Sequence, residues 1–395
     1  MTIPTSTRAA VLTEHGQELQ LQDLPLPSAV EPGAALVRNK CSTLCGTDVE
    51  IWAGKMTFPG MLPMVLGHEM AGEVLAVGEG TVDAVGRPVR VGDRIGWSES
   101  TCGQCYGCTV LREPVACSHR GYGFMQRSDT SPYATAGLSE YAYVTPGAAK
   151  LLLPESVPDE LAAMAGCAAK TVLRAFDRIG GVRPASRVAV QGSGALGIFA
   201  TAVARLAGAG QVITIGAPAA RLDLARRFGA DEVIDIADSA PVPEQVMELT
   251  DGHGADVVLD LAGAPSVGRE AVAMAAQRGR VAIVGSTGPG SEAVELSAVM
   301  GNELTVCGSL NGDISDYHHA IEFFAAFADR MPWAELFSQP VGLEQASSSL
   351  VRMQELAETK AVIDPSRSEP WTCSGLSSYP TRSLCDEPPS RKEKT

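Results

Sequence analysis

The pattern of apolar and polar positions changes character near residue 156. Before that point, short apolar stretches such as Ala34–Val37, Gly72–Val77 and Arg90–Ile95 are broken by Gly, Pro and Asp. Runs this short between turn formers predict strands joined by tight turns. After it, Val157–Ile179 is Ala-rich and reads as helix. Strands follow at Arg187–Val190, Val212–Ile215, Glu232–Ile236, Asp256–Leu261, Arg280–Val284 and Leu304–Gly308. Helical stretches lie between them, Ala195–Leu206 and Ala219–Phe228 among them. Such alternation predicts βαβ units, a parallel sheet and an α/β fold class. Tyr317–Ala328 reads as helix, and Gln339–Ile363 as strand, helix and closing strand. Past Pro365 periodicity stops, and the Ser- and Pro-rich stretch 366–395 is expected to be a disordered tail.

Length and charge narrow the function classes. At 395 residues the chain has room for two or three domains. A net charge of −15 argues against nucleic acid and anionic membrane as partners. The uncharged run Val188–Ala204 contains Gln191, Gly192, Ser193, Gly194, Gly197 and Thr201, which suits a nucleotide loop better than a membrane span. The opening residues carry no apolar signal-peptide core, so a cytoplasmic protein is expected. In that compartment ten cysteines point to metal binding or catalysis rather than disulfides.

Three groups of residues carry candidate chemistry. Gly192-Ser193-Gly194-Ala195-Leu196-Gly197 follows a strand and opens a helix. Glycines at these positions permit a tight turn, close approach of backbone to a pyrophosphate, and helix–sheet packing. The helix N-terminus supplies amides for the phosphates. A dinucleotide cofactor is therefore expected. At the end of the second strand, where an acid would bind the ribose of NAD, stands Gly216. That leaves NADP open, while the lack of an Arg directly after the strand favours NAD slightly. The second group is Cys102-x2-Cys105-x2-Cys108-x8-Cys117. Four thiolates at these spacings close around one tetrahedral Zn²⁺ and make a structural site. The third is dispersed: Cys45, His68 and Cys167. Three ligands with an open fourth position suit a catalytic zinc. Spacing alone does not join them, and a small buried Cys167 on an Ala-rich helix and a core His68 remain open readings.

Taken together, the motifs identify a resemblance. CGTD at 45–48, GHEMAGEV at 67–74, the four-cysteine lobe, AGCAAKT at 165–171, GSGALG at 192–197 and KAVIDP at 360–365 occur in order. A chain with this series resembles the zinc-dependent medium-chain alcohol dehydrogenases over about residues 8–365. It is most similar to bacterial members associated with phosphonate or terpenoid-alcohol catabolism. The resemblance implies a GroES-like β-barrel catalytic domain from 1–168 and 310–365, with a doubly wound Rossmann domain at 169–309 inserted between. Homodimers or homotetramers are usual in the family.

The family's roles carry over residue by residue. Cys45, His68 and Cys167 match catalytic zinc ligands, and Glu69 matches an acid that replaces a ligand in some members. Asp48 matches the carboxylate that orients the zinc-bound His, Thr47 the hydroxyl that bonds the alcohol, and Thr171 a residue near the nicotinamide. Cys102, Cys105, Cys108 and Cys117 match the structural zinc lobe. Where many members have a proton-accepting His, this chain has Glu50. The lobe's last interval is x8, where many members have x7.

The expected activity is hydride transfer between an alcohol and NAD(P), giving a ketone or aldehyde. Secondary or cyclic alcohols are the expected substrates, with polyol or amino-alcohol oxidation as the alternative and a non-catalytic zinc- and nucleotide-binding protein as the reading from another class. Trp52, Met56 and Trp97 are candidate pocket residues or ordinary core. The pair His318 and His319 reads as structural.

Overall fold

The computed structural model describes residues 3–238, 240–285, 290 and 292–367. The tail expected over 366–395 lies outside them apart from its first two residues.

Two sheet systems carry the chain. An antiparallel six-stranded sheet joins Val362–Ile363, Ala35–Thr43, Glu69–Val77, Arg94–Ser100 and Ala148–Leu152, with Tyr141–Val144 pairing the strand Ala35–Thr43. A three-stranded sheet of Gln20–Pro25, Ser6–Leu12 and Met64–Val65 packs with it. The strand expected at Arg90–Ile95 begins only at Arg94. Gly92 adopts φ +91° and Arg90 N–H donates to Asp93 Oδ2 at 2.7 Å, so a turn takes the first residues.

The second system is an all-parallel sheet of six strands. Its order is Glu232–Asp235, Gln211–Gly216, Arg187–Gln191, Ala255–Asp260, Ala275–Ile283, Thr305–Gly308. The strand earliest in sequence thus sits in the middle, with later strands added outward on each side. That reversal of direction opens a crevice beyond the strand ends, the usual place for a nucleotide.

The helix expected over Val157–Ile179 is interrupted. Helices Asp159–Met164 and Lys170–Arg178 flank a π turn at Ala165–Ala169. Widened turns loosen the backbone ladder and occur often at functional sites. Here Thr171 Oγ1 donates to the Cys167 carbonyl at 2.7 Å and satisfies it. The domain boundary expected at 168/169 falls inside this helical run, with no linker there.

One apolar core runs through both systems. It extends from Cys41 and Ala71 through Ala162–Ala169 to Val190, Phe199 and Leu259. Helix Ile314–Phe327, capped by Asp313 accepting Ser315 N–H at 2.8 Å, returns the chain across this core. Its Phe324 ring lies 5.4 Å from both Phe199 and Trp333. Among the described residues no helix is long and apolar enough to cross a membrane.

Candidate active site

Local chemistry at the start of helix Gly46–Trp52 builds the site. Cys45 is its N-cap, and Asp48 at the third position accepts the Cys45 N–H at 2.9 Å through Oδ2. This capping arrangement is a sequence-local device. The other oxygen of Asp48 reaches across the fold: Oδ1 accepts Gly67 N–H at 3.0 Å and lies 3.2 Å from His68 Nδ1. Asp48 is fully buried. A carboxylate accepts, so Nδ1 carries a proton and Nε2 is the nitrogen left to face a cation. Gly67 turns the chain here at φ +90°, and a Cβ on it would sit 2.8 Å from Ser42 Oγ.

The ligand atoms of Cys45, His68, Glu69 and Cys167 all lie within 4.8 Å of one another. Cys45 comes from a helix start, His68 and Glu69 from a strand edge, and Cys167 from the π turn. The hydrogen bond from the Cys167 thiol outweighs burial and holds Cys45 well below the usual thiol range. That contact, with burial, pushes the Cys167 thiol well up. Burial opposes charging of His68, but Asp48 and Cys45 together raise it well above the usual range. A thiolate, a raised thiol and an imidazole crowded this closely form a donor set for a soft divalent cation. Buried Glu69 Oε1 has no hydrogen-bond partner, which fits the same reading. The other side of Glu69 is committed, to Thr43 Oγ1 and to the buried Lys360 Nζ at 2.5 Å.

The second cluster, Cys102, Cys105, Cys108 and Cys117, is equally tight, with all sulfurs within 4.8 Å. Backbone N–H groups of Cys102 and His119 point at Cys117 Sγ, both at 3.4 Å. Backbone donors likewise draw the Cys105 thiol down to about 5, while burial and the Cys105 contact push Cys108 up to about 12. Four sulfurs this close ionise together only around a cation, and no fifth position is left for substrate. Among the described residues all eight cysteines are free thiols.

Thr47 and Glu50 sit three residues apart on helix Gly46–Trp52, both half-buried. Burial raises the Glu50 carboxyl, the Cys45 thiolate adds to that, and Lys55 opposes. Thr171 spends its hydroxyl on the Cys167 carbonyl. Of the candidate pocket residues, Trp97 lines the cavity beside His68 and Cys167. Trp52 instead packs in the barrel core with its Nε1 donating to Gln17 O at 2.8 Å, and Met56 packs against that core.

The glycine loop has the shape a dinucleotide needs. Gly192 holds φ +116°, a Cβ on Gly194 would meet open space, and one on Gly197 would lie 1.7 Å from Gly192 O. Gly216 is also forced: a Cβ there would sit 2.3 Å from Ser193 Oγ. That hydroxyl bridges Ala217, donating to its O at 2.9 Å and accepting its N–H at 3.1 Å.

Several residues at the site were not singled out from the sequence. Lys360 lies within the quoted KAVIDP segment, and a Lys heading an apolar strand was the available signal. Glu99, fully buried Lys170 and Arg120 form an ion cluster at the cavity floor, with Lys170 Nζ 2.7 Å from Glu99 Oε2. Burial alone would raise Glu99, but Lys170 and Arg120 outweigh it and bring the carboxyl down to about 2. Adjacent Arg174 pairs with Asp316 at 3.1 Å and with Glu113 of the lobe at 2.5 Å. No sequence spacing joins these residues.

Comparison with known proteins finds matches to two family models and along nearly the whole chain. Residues 31–155 match the alcohol dehydrogenase GroES-like domain, and residues 195–326 match the zinc-binding dehydrogenase domain. The chain is 34% identical over 365 residues to a 5-exo-hydroxycamphor dehydrogenase of Pseudomonas putida, spanning 90% of this chain and 98% of that protein. It is 29% identical over 367 residues to an L-threonine 3-dehydrogenase of Sinorhizobium medicae, again spanning 90% and 98%. An alcohol dehydrogenase structure from Thermotoga maritima superposes with a TM-score of 0.85 at 27% identity, covering 91% of this chain and 99% of that one. A zinc-binding dehydrogenase of Sinorhizobium meliloti bound to NADP gives 0.80 at 25%, covering 92% and 100%.

Proposed function

Because the chain belongs to the zinc-dependent medium-chain alcohol dehydrogenases, NAD(P)-dependent oxidoreductases with a GroES-like domain, we propose that it oxidises a cyclic secondary alcohol to a ketone. The observation that carries this reading is the convergence of Cys45, His68, Glu69 and Cys167, two of which, His68 and Cys167, line a cavity together with Phe124, Trp97, Met70 and Val144. A zinc ion bound there would supply Lewis-acid polarisation of an alcohol oxygen, and a nicotinamide cofactor would supply the redox chemistry. Cys45, His68 and Cys167 would hold the metal, with Asp48 fixing the His68 ring. Glu69 is poised between that site and Lys360. Thr47 Oγ1 takes the proton of the substrate hydroxyl and passes it toward the Glu50 carboxylate. The upward shift of Glu50 brings its basicity closer to what a proton acceptor at neutral pH requires.

The Pseudomonas putida relative is named for a hydroxycamphor, a cyclic alcohol, which supports the substrate class. The threonine dehydrogenases favour an amino-alcohol instead. An amino-acid substrate needs a cation for its carboxylate, and no Lys or Arg is among the cavity-lining residues.

For the cofactor, we propose NAD with weak discrimination against NADP. Ser193 occupies the space from which an acid at position 216 would extend, so nothing there repels a 2′-phosphate. Arg221, the nearest cation along the helix, donates to the Glu358 carbonyl at 2.5 Å. The cofactor loop is Gly192–Gly197, with Thr171 placed close to the Cys167 turn.

Two zinc ions per chain fit the two clusters, one catalytic and one structural. The outer strand Thr305–Gly308 and the neighbouring exposed Leu296, Met300, Val306 and Leu310 offer an apolar surface for a homodimer or homotetramer. The free thiols suit a reducing, cytoplasmic setting.

The test is NAD⁺ and NADP⁺ reduction across primary, secondary and cyclic alcohols, with metal analysis and a zinc chelator. Chelator-sensitive turnover strongest on cyclic alcohols is expected. Full turnover by a Cys45→Ala enzyme would refute the catalytic role of the cluster.

A further inference from the structure

Behind one wall of the cavity sits a buried lysine that the proposed reaction does not use. Strands Tyr141–Val144 and Ala148–Leu152 meet at a tight corner, and Val144, Thr145 and Ala148 of that corner line the cavity. Lys150 is 4% exposed and lies outside the lining. Its Nζ reaches back and donates to three carbonyls of the corner: Thr145 O at 3.0 Å, Pro146 O at 3.1 Å and Ala148 O at 2.8 Å. An ammonium has three hydrogens, so each carbonyl receives one. Across the sheet Lys150 pairs with Trp97, which also lines the cavity.

Among the described residues no carboxylate pairs with this ammonium. Titratable groups on the elements around it are engaged elsewhere. Asp83 belongs to the turn whose Ala84 N–H donates to Lys150 O at 2.8 Å, and its carboxylate is bound by Arg87 at 2.6 Å. Glu99, on the strand that carries Trp97, is held by Lys170 and Arg120. The Tyr143 hydroxyl accepts Glu31 N–H at 3.1 Å. Burial is therefore the one influence on the Lys150 charge, and it brings the group down to about 8.

Loss of the proton changes what the corner can do. A neutral amine keeps two hydrogens and turns a lone pair toward the third carbonyl, where two acceptors face each other at hydrogen-bond distance. One carbonyl of a turn this short must then swing away, and the cavity wall moves with it.

We propose that Lys150 is a positioning residue for the substrate, whose proton pins the Thr145–Ala148 corner and so sets how well the cavity holds a bulky alcohol. This rests on the reading of the cavity as an alcohol site. Lys150 touches neither substrate nor cofactor; it acts through the backbone of the wall.

The test compares kcat/KM for cyclohexanol in zinc-loaded wild type and Lys150→Met from about pH 6.5 to 9.5. The variant keeps every other titrating group, so the ratio of the two isolates Lys150. Wild type should lead by about fivefold at the acid end, the worth of one hydrogen bond, and the lead should vanish through a midpoint near 8. The difference should lie in KM, because a wall contact is made equally in ground and transition states. Lys150→Arg stays charged over the whole range, so its profile should show no loss near 8, which keeps a readout if Lys150→Met does not fold. A second measurement needs no substrate. The unfolded chain keeps the lysine proton to about 10.5 and the folded chain only to about 8, so the unfolded state binds more protons between those values and stability rises with pH there. The urea midpoint of wild type should climb relative to Lys150→Met across that window. A ratio to Lys150→Met that is constant with pH, at any value, overturns the pin, since a merely structural lysine would give that result. So does a Lys150→Arg profile with the wild-type midpoint, or urea midpoints that keep a fixed gap. No turnover of cyclohexanol or of any other alcohol with either cofactor overturns the alcohol reading, and the positioning role with it.

Discussion

Asp48→Asn keeps the side chain's shape while removing its charge and one of its two acceptors. The carboxylate accepts from Cys45 N–H through Oδ2 and faces Gly67 N–H and His68 Nδ1 through Oδ1. An amide has one oxygen, so its NH2 must face one of these donors. The less costly choice turns the oxygen toward Gly67 and His68 and sets the NH2 against Cys45 N–H. The helix then loses its capping contact, worth about 1 kcal/mol. The bond to His68 drops from charge-assisted to neutral, a further loss of about 1 kcal/mol. Outer partners of metal-bound histidines change metal affinity by about 10–100-fold, and one to two decades correspond to about 1.4–2.8 kcal/mol, in line with that loss. The assay is competition for zinc with a chromophoric chelator, followed as two release phases, together with kcat/KM at saturating zinc. The phase from Cys45, His68 and Cys167 should weaken by about 10–100-fold while the four-cysteine phase stays where it was. Unchanged zinc affinity, with kcat/KM within about twofold of wild type, would refute the account of how the ligand set is held.

Three further outcomes are expected. Glu99→Gln strands Lys170 and Arg120 without a countercharge and should cost about 3–5 kcal/mol by urea denaturation at pH 7. Since Glu99 titrates at about 2 rather than 4.5, its stabilisation is complete above pH 4.5 and is lost as pH falls toward 2. The gap between variant and wild-type midpoints should narrow over that window, and a constant gap would contradict the pairing. Cys102→Ser should remove one zinc per chain by metal analysis and lower the thermal midpoint, with kcat per remaining zinc near wild type; lost catalysis at unchanged stability would reverse the roles of the two clusters. Gly197→Ala places a methyl where Gly192 O now stands, so NAD(P)H fluorescence titration should show binding weakened by about tenfold or more. Tight binding would mean that the turn does not cradle the cofactor.

Much of the architecture was readable from local patterns. Strand–helix alternation after residue 187 gave the parallel sheet, because each βαβ unit is written in contiguous sequence. The four-cysteine lobe was equally readable, since all its ligands lie within one short loop. Errors fell where a single turn decided the outcome. Gly92 delayed the strand expected at Arg90, and the π turn at Ala165–Ala169 split a helix whose Ala-rich pattern looked uniform.

Sequence by itself therefore determined the fold class, the glycine loop and the closed cysteine cluster, because short-range spacing encodes each of them. The Cys45, His68 and Cys167 set needed a family resemblance to be joined, since strands and a helix far apart in sequence bring it together. Tertiary structure alone decided the rest. It showed that Asp48 both caps a helix and orients His68, and that Ser193 excludes an acid at 216. It also placed buried Lys170 and Lys360 opposite Glu99 and Glu69. Buried charges survive only when a partner is delivered to them, and for these pairs the partner comes from 71 and 291 residues away in the chain.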